Sequence, residues 1–278
     1  MKILVVGAKG YIGESFAEYV LRRAKSGGSI IVDVVDSYKG WKNKSFEGYD
    51  SVIFAAGIAH RKQNLSNLRL YFAVNRNLAV AVAKKAKSAK VPQFVYLSSM
   101  AVYGKKEGEI SEDTKAIPRH NDYYGLSKLQ AENRLQKLED AGFTIAIIRP
   151  PMVYGANCPG KFVQLIKLAK FLPIVPDSQN KRSILYIDNL SEFLCMVAQN
   201  RTSGIFCPQN GEYASTATLI RLLRRRMGKK TVIIPGTGWI LGLLMAFCPP
   251  VKTAFGSLYY STAPSIPYKA IGLEQSIL

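Results

Sequence analysis

The chain has 278 residues, of which 48% are hydrophobic, and its formal net charge is +19. This length allows a sizeable core, while four cysteines without CxxC spacing and two histidines argue against a zinc site or a disulfide framework. The longest apolar run, 239–248, is too short to span a bilayer, which needs about 20 residues. Met1 leads directly into a strand pattern without a signal peptide, so we expect a cytoplasmic protein.

The first predicted element is a buried strand over residues 2–6, which leads through a glycine-rich turn into a helix. The turn reads Gly7-Ala8-Lys9-Gly10-Tyr11-Ile12-Gly13. Glycines at this spacing permit a tight turn, let the backbone approach a pyrophosphate and let the helix pack close to the strand. Because free N–H groups at a helix N-terminus face phosphate oxygens, this segment predicts a dinucleotide-binding site.

The second predicted strand covers residues 30–35 and ends in Asp36. A carboxylate at this place accepts hydrogen bonds from the adenosine ribose and disfavours a 2′-phosphate, so it favours NAD over NADP. Asp33 competes for this role, and Lys39 and Arg22 would weaken the preference. The alternative is that Asp36 only shapes a turn.

Three further buried strands are predicted over residues 51–56, 94–98 and 143–148. The first closes with Ala55-Ala56-Gly57, small residues that let a dinucleotide lie across the strand end. A long helix, residues 68–89, follows it and holds Asn75. The next strand ends in Ser98 and Ser99, and α/β sheets bind ligands at such carboxyl ends. The alternative role for Ser99 is to cap the backbone.

The predicted helix that begins near residue 123 carries Tyr124 and Lys128 one turn apart on one face. A phenol is a poor base at neutral pH, but a neighbouring ammonium favours the phenolate and promotes acid–base chemistry. The alternative is a chance pair on a solvated helix.

The alternation of strands and helices predicts an α/β fold with a doubly wound parallel sheet over residues 1–155. After Arg149-Pro150-Pro151-Met152-Val153-Tyr154-Gly155 the composition changes to prolines, short elements and basic helices. We therefore expect a smaller substrate-binding lobe over residues 156–278, from which residues 184–200 return to the first domain.

The strand–GxxGxxG–helix segment, Ser99, the YxxxK pair and the RPxxVYG stretch together resemble the extended short-chain dehydrogenase/reductase family. Within that family the chain resembles the NAD-dependent epimerases and dehydratases that act on nucleotide sugars. The resemblance covers residues 1–200 well and the rest loosely. It implies a Rossmann-type fold, an NAD cofactor and a UDP-sugar substrate.

The resemblance also implies roles for single residues. Tyr124 would be the acid–base, Lys128 its electrostatic partner and a ribose ligand, and Ser99 a donor to the reacting oxygen. The residues expected around NAD are Gly7, Gly10, Tyr11, Ile12, Gly13, Asp36, Ala55, Ala56, Gly57, Asn75, Ser98, Tyr124, Lys128 and Val153. The residues expected to contact the substrate are Ser99, Tyr124, Met152 and Arg182. The Arg182 guanidinium would bind the nucleotide pyrophosphate, unless it is simply an exposed arginine of a basic protein.

Two departures from the family pattern restrict which reactions we expect. Family dehydratases carry an Asp-Glu pair after the serine, whereas Met100 and Ala101 stand here and cannot move a proton. Met152 stands where some 4-epimerases have a substrate-binding asparagine. We therefore expect a UDP-hexose or UDP-N-acetylhexosamine 4-epimerase of surface polysaccharide synthesis. The alternatives are an NAD(P)H-dependent 4-ketoreductase and a non-catalytic dinucleotide-binding protein at an anionic membrane.

The positive charge favours anionic partners, although no aromatic-rich nucleic-acid module accompanies it. Arg221, Arg224 and Arg225 are predicted to share one helical face. Beside them, Trp239 and Leu243, with Leu244, would insert shallowly into an anionic membrane, or instead form the core of the small lobe, which the pattern favours. A homodimer is also left open, and no metal is expected.

Overall fold

The computed structural model describes residues 1–59, 65–261, 268 and 270–278, and for Leu65, Ile240, Leu244, Pro249 and Pro250 only the backbone. The strands are β1 (Lys2–Val6), β2 (Ile31–Val35), β3 (Ser51–Phe54), β4 (Gln93–Leu97), β5 (Gly108–Ile110), β6 (Thr144–Ile148), β7 (Met152–Tyr154), β8 (Ile174–Pro176), β9 (Ile184–Tyr186), β10 (Gly204–Phe206), β11 (Val232–Ile234) and β12 (Leu258–Tyr260).

The helices are α1 (Tyr11–Ala24), α2 (Gly40–Asn43), α3 (Leu65–Tyr71), α4 (Ala79–Ser88), α5 (Tyr123–Gln136), α6 (Lys161–Phe171), α7 (Ile187–Gln199), α8 (Thr216–Arg226), α9 (Gly238–Phe247), α10 (Pro249–Phe255) and α11 (Leu273–Ile277). A π-helical segment, Phe72–Leu78, joins α3 to α4 without a break, and a 3₁₀ turn, Met100–Tyr103, follows β4. The long helix predicted over residues 68–89 thus forms, and its middle is π-helical.

Six parallel strands form the central sheet in the order β2-β1-β3-β4-β6-β10. The strand order reverses between β1 and β3, and ligands of such sheets bind in the crevice at the carboxyl ends of the strands at this point. This topology confirms the predicted Rossmann-type α/β fold. Residues 37–50 contain the short helix α2 but no strand, so β2 lies at the edge of the sheet.

Alternate residues of the central strands pack on opposite faces of the sheet. Leu4 and Phe54 belong to the core that α4 and α5 cover, whereas Val5 and Ile53 belong to the core that α1 and α7 cover. All four side chains are at most 1% exposed. Because both faces are covered, these strands read as continuous apolar runs in the sequence.

Residues 184–206 connect the small lobe with the central sheet. Helix α7 packs on α1 in the same core as β1, and β10 is the outermost strand beside β6. The sequence predicted that residues 184–200 return to the first domain. Strand β10, which has only three residues, was not predicted. Helices α6 and α8 pack on each other in a separate core of the small lobe.

The small lobe differs from the sequence hypothesis in two places. Arg224 is only 6% exposed, so it does not share a solvated face with Arg221 and Arg225. Conversely, Trp239 and Leu243 are 72% and 59% exposed and do not form core. In the part of the chain that the structure describes, no helix is long and apolar enough to cross a membrane.

Candidate active site

The glycine-rich turn connects β1 to α1 and is shaped by close backbone contacts. Gly7 has φ +122°, and a Cβ there would lie 2.6 Å from the Ala56 nitrogen. A Cβ on Gly13 would lie 2.4 Å from the Gly7 carbonyl oxygen. Gly10 caps α1 without a side-chain hydrogen bond, so the backbone N–H groups of the first helical turn can bind an anion. These residues therefore fit the pyrophosphate of a dinucleotide.

Tyr11 and Ile12, which were expected beside the cofactor, begin helix α1. Both pack at the margin of the core behind the sheet. The Tyr11 hydroxyl is buried without a hydrogen-bond partner, and a Cβ on Gly155 would lie 2.8 Å from it. The Tyr11 ring thus fixes the approach of the segment after β7 to the glycine-rich turn.

Asp36 follows β2 and organises the turn that begins α2. Its carboxylate accepts hydrogen bonds from the backbone N–H groups of Tyr38 at 2.7 Å, Lys39 at 3.2 Å and Gly40 at 3.1 Å. These backbone hydrogen bonds lower the pKa of Asp36, with a smaller contribution from Lys9. Asp36 thus shapes this turn. Its carboxylate, which would disfavour a 2′-phosphate, stays ionised.

The loop after β3 is held against α5 by Asn75 of the π-helical segment. The Asn75 amide accepts from the Ile58 N–H at 2.8 Å and donates to the Ile58 carbonyl at 3.1 Å and to Ser127 Oγ at 3.0 Å. A Cβ on Gly57 would lie 3.3 Å from Lys128 Nζ and 3.4 Å from Asn75 Oδ1. Asn75 and Gly57 therefore lie at the predicted cofactor crevice, and Asn75 shapes its wall.

Ser99 and Tyr124 are brought together by the packing of α5 on the 3₁₀ turn after β4. Asp122 caps α5 by accepting from the Gly125 N–H at 3.0 Å. A Cβ on Gly125 would lie 2.8 Å from the Ala101 carbonyl oxygen, so glycine allows this close approach. The Ser99 hydroxyl accepts from the Ala101 N–H at 3.2 Å and hydrogen-bonds the Tyr124 hydroxyl.

Burial raises the pKa of Tyr124, and the Ser99 hydrogen bond acts against this increase. The phenol lies edge-on to the Tyr71 ring, whose centroid is 6.5 Å away. The sequence had predicted that the Lys128 ammonium favours the phenolate. In the structure, burial is the largest influence on the pKa of Tyr124, and the effect of the Lys128 ammonium on it stays a prediction.

Lys128 lies one turn further along α5 and is almost completely buried, with 3% exposure. Its ammonium donates to the Leu97 carbonyl at 2.6 Å and lies 4.8 Å from the centroid of the Tyr96 ring. Burial lowers the pKa of Lys128 to about 7, although Glu132 acts in the opposite direction. This side chain can therefore change its protonation state near neutral pH.

A buried ion pair, Glu132 with Arg149, lies next to Lys128. Glu132 accepts two hydrogen bonds from Arg149, at 3.2 Å to Nε and 2.6 Å to Nη2, and one from Ser98 Oγ. Arg149 also donates to the Tyr103 hydroxyl at 2.9 Å. The Ser98 side chain, expected near the cofactor, is thus engaged with Glu132. Glu132 was not predicted as a site residue, although it follows Lys128 at the same four-residue spacing.

A second cluster of charged side chains includes Arg182 of the small lobe. Arg182 is half-buried, donates from Nη2 to the Thr253 carbonyl and has a buried Nε without a hydrogen-bond partner. Burial lowers the pKa of Arg182. Burial also lowers the pKa of Lys161, and the positive charges of Arg182 and Arg119 lower it further, whereas Asp122 raises it.

The cationic cluster of Arg119, Lys161 and Arg182 therefore lies near Asp122, at the start of the helix that carries Tyr124. Such mutual repulsion is relieved when an anion binds between like charges. Arg182 was predicted from the sequence, whereas Lys161 was not. Its position directly after Gly160, at the start of a helix, was the signal in the sequence that could have indicated it.

Met152 and Val153 lie on the short strand β7, which pairs with β9. Val153 packs at the margin of the core that contains β1, and Met152 at the margin of the small-lobe core. The two predicted contact residues thus lie between the sheet and the small lobe. Ala55 and Ala56 both donate to the Val6 carbonyl, at 2.9 and 3.2 Å, and so line the end of β1.

Comparison with known proteins identifies the family of the chain. The sequence profile described as "NAD dependent epimerase/dehydratase family" matches residues 3–206. A UDP-glucose 4-epimerase of Vibrio cholerae is 33% identical over 202 residues, which cover 68% of this chain and 60% of the relative. The N-acetyl-alpha-D-glucosaminyl-diphospho-ditrans,octacis-undecaprenol 4-epimerase of Escherichia coli O157:H7 is 28% identical over 224 residues, which cover 73% of this chain and 64% of the relative.

The chain thus spans less than two thirds of the length of these two relatives. Among solved structures, a dTDP-4-dehydrorhamnose reductase from Clostridium acetobutylicum superposes with a TM-score of 0.67 at 20% identity, covering 84% of this chain and 83% of that chain. This similarity shows the fold. Because the profile covers well over half of the sequence, the chain belongs to the NAD-dependent epimerase/dehydratase family, and NAD is its cofactor.

Proposed function

We propose that the protein is a nucleotide-sugar 4-epimerase that acts through a transient 4-keto sugar. The observation that carries this proposal is the meeting of Ser99, Tyr124 and Lys128 beside the glycine-rich turn. A hydroxyl donor, a phenol and an ammonium with a pKa near 7 form an acid–base group at the carboxyl ends of the strands.

Tyr124 moves the proton of the sugar 4-hydroxyl, and Ser99 holds the same oxygen by a hydrogen bond. Lys128 provides a positive charge that favours the phenolate form and binds a ribose hydroxyl. NAD, when bound, supplies the hydride acceptor and donor for this chemistry. The residues of the chain contribute position and electrostatics, which are worth most in a site that excludes water.

The cationic cluster of Arg119, Lys161 and Arg182 binds the diphosphate of the substrate. A guanidinium fork matches phosphate oxygens, and the buried Nε of Arg182 is a donor that a phosphate oxygen can satisfy. An epimerase must present both faces of the 4-keto sugar, so a single anchor at the diphosphate allows the sugar to turn. The names of the two relatives support a diphospho-hexose or diphospho-N-acetylhexosamine substrate.

A 4-ketoreductase is the second candidate, because the same residues serve one reduction with NAD(P)H and the fold is shared with a reductase. A dehydratase is disfavoured because Met100 and Ala101 follow Ser99 and have no titratable group.

Incubation of the purified protein with a panel of UDP-sugars, with and without added NAD(P)H, distinguishes the candidates. Epimer formation without net change of the cofactor supports the epimerase. Stoichiometric oxidation of NAD(P)H by a 4-keto sugar supports the reductase. The absence of both reactions, in protein that binds NAD, would contradict an enzymatic role on UDP-sugars.

A further inference from the structure

The small lobe carries an exposed apolar face on its strand pair β8–β11. The two strands are parallel, and Ile174 lies beside Val232. Ile174, Val232 and Ile234 are 55%, 59% and 41% exposed. Val175, the next residue of β8, pairs with Ile233 and is fully buried in the lobe. Because successive residues of a strand point to opposite faces, one face of the pair packs inward and the other is apolar and solvated.

Helix α9, which follows β11 in the chain, carries further exposed apolar residues. Trp239, Leu243 and Phe247 recur at every fourth residue and are 72%, 59% and 84% exposed. Leu241, on another side of the helix, is 5% exposed and packs in the small-lobe core. The exposed residues thus form one stripe along the helix, since positions four apart lie on the same face.

The strand pair and the helix are joined at one point. The Asp177 N–H, just after β8, donates to the Ile234 carbonyl at 3.2 Å and to Thr237 Oγ1 at 3.2 Å. The start of α9 is thereby fixed at the end of β11. We call the exposed apolar residues of the strand pair and the helix together the apolar surface, which consists of Ile174, Val232, Ile234, Trp239, Leu243 and Phe247.

Basic side chains border the apolar surface because Arg224 holds their backbone in place. Arg224 is buried and donates to the carbonyls of Ala169 and Lys230, both at 2.8 Å. Lys229 Nζ donates to the Lys170 carbonyl at 3.2 Å. These contacts gather three exposed ammonium groups at the start of β8 and β11, and we call Lys170, Lys229 and Lys230 the basic rim.

The apolar surface and the basic rim come from segments without acidic residues. Residues 141–176 and 213–273 contain no aspartate or glutamate. If a second copy covered this surface about a two-fold axis, it would place lysines against lysines. An anionic lipid headgroup layer has the opposite charge and, beneath it, an apolar layer that accepts exposed aromatic and aliphatic side chains.

We propose that the small lobe docks on an anionic lipid bilayer through the apolar surface and the basic rim. The lysines bind lipid phosphates while Trp239 and Phe247 enter the boundary between headgroups and acyl chains. The proposal concerns location only and holds whichever reaction the protein catalyses.

The two tryptophans of the chain provide a direct test. Trp41 is 8% exposed and its indole N–H has no hydrogen-bond partner, so Trp41→Phe should be tolerated and leaves Trp239 as the reporter. The full chain with this change is mixed with phosphatidylglycerol-containing vesicles or with neutral phosphatidylcholine vesicles at low salt. We expect a blue shift of Trp239 emission and quenching by brominated lipids only with the anionic vesicles.

Matched variants separate specific docking from general attraction. Each lysine near an anionic surface contributes roughly a fivefold gain in partitioning, so Lys229→Gln/Lys230→Gln should lower vesicle binding about 25-fold. The control Lys25→Gln/Lys84→Gln removes two exposed lysines of the other lobe, one directly after α1 and one in α4, and should change binding little. Phe247→Ser should abolish the quenching, with NAD binding unchanged in every variant.

Three results would overturn the proposal. The first is a protein that stays out of the vesicle fraction at low salt. The second is an equal loss of binding in the control pair, which would indicate unspecific charge attraction. The third is a dimer in sedimentation experiments that Phe247→Ser dissociates, since a second copy would then cover the apolar surface.

Discussion

The Arg149 guanidinium binds both carboxylate oxygens of Glu132, and the two side chains are 8% and 1% exposed. Glu132 lies one helical turn beyond Lys128 and raises the pKa of that lysine against the effect of burial. The pair therefore connects the packing of α5 on β6 with the charge at the candidate active site.

Replacement of Glu132 by Gln should be strongly destabilising. It leaves the buried Arg149 without a countercharge, which costs about 3–5 kcal/mol in free energy of unfolding. Denaturant unfolding measures this loss. The double variant Glu132→Gln/Arg149→Met should be more stable than Glu132→Gln alone, and the reverse order would show that the pair does not act as a unit.

The stability of the protein should depend on pH through Lys128. Its pKa falls from 10.5 to about 7 on folding, so between these values the unfolded chain binds the additional proton. The free energy of unfolding contributed by Lys128 therefore rises with pH across this window. Lys128→Met removes the contribution, and its melting temperature should rise less between pH 7 and pH 10 than that of the wild type. Parallel curves would contradict the lowered pKa.

Tyr124→Phe should reduce turnover by about 10²- to 10⁴-fold, the usual effect of a lost acid–base group. NAD binding, measured by fluorescence titration, should stay nearly unchanged because the ring is retained. Tyr123→Phe on the same helix turn is the matched control and should remain active. A fully active Tyr124→Phe variant would remove this residue from the mechanism.

The cofactor preference should depend on Asp36. We expect tighter binding of NAD than of NADP, and a smaller difference in Asp36→Asn, because the amide no longer repels a 2′-phosphate. Circular dichroism checks that the turn after β2 survives, since Asp36 accepts three backbone hydrogen bonds there. If the preference is the same in both proteins, Asp36 only shapes the turn.

Arg182→Gln and Lys161→Gln should each weaken inhibition by UDP, by about 1.5–3 kcal/mol for a lost charge-assisted hydrogen bond. The affinity for NAD should not change, because both residues belong to the small lobe. Arg221→Gln, on the exposed side of α8, provides the control. Unchanged inhibition constants in both test variants would place the diphosphate elsewhere.

The sequence by itself determined the strand–turn–helix at the predicted cofactor crevice and the helix that carries Tyr124 and Lys128. The strand–turn–helix of residues 2–24 and the four-residue spacing of Tyr124 and Lys128 are local features. Local spacing fixes which side chains share a helix face and where a backbone must turn, so both could be read before any tertiary contact was known. The ends of the five predicted strands differ from those in the structure by at most two residues.

Only the tertiary structure decided the charges of the site and the fate of the small-lobe side chains. Glu132 meets Arg149 across 17 residues, and burial, which depends on all surrounding elements, sets the pKa values of Tyr124 and Lys128. The apolar pattern of α9 was compatible with core or surface. Periodicity indicates which residues share a face, but whether another element covers that face depends on the packing of the whole lobe.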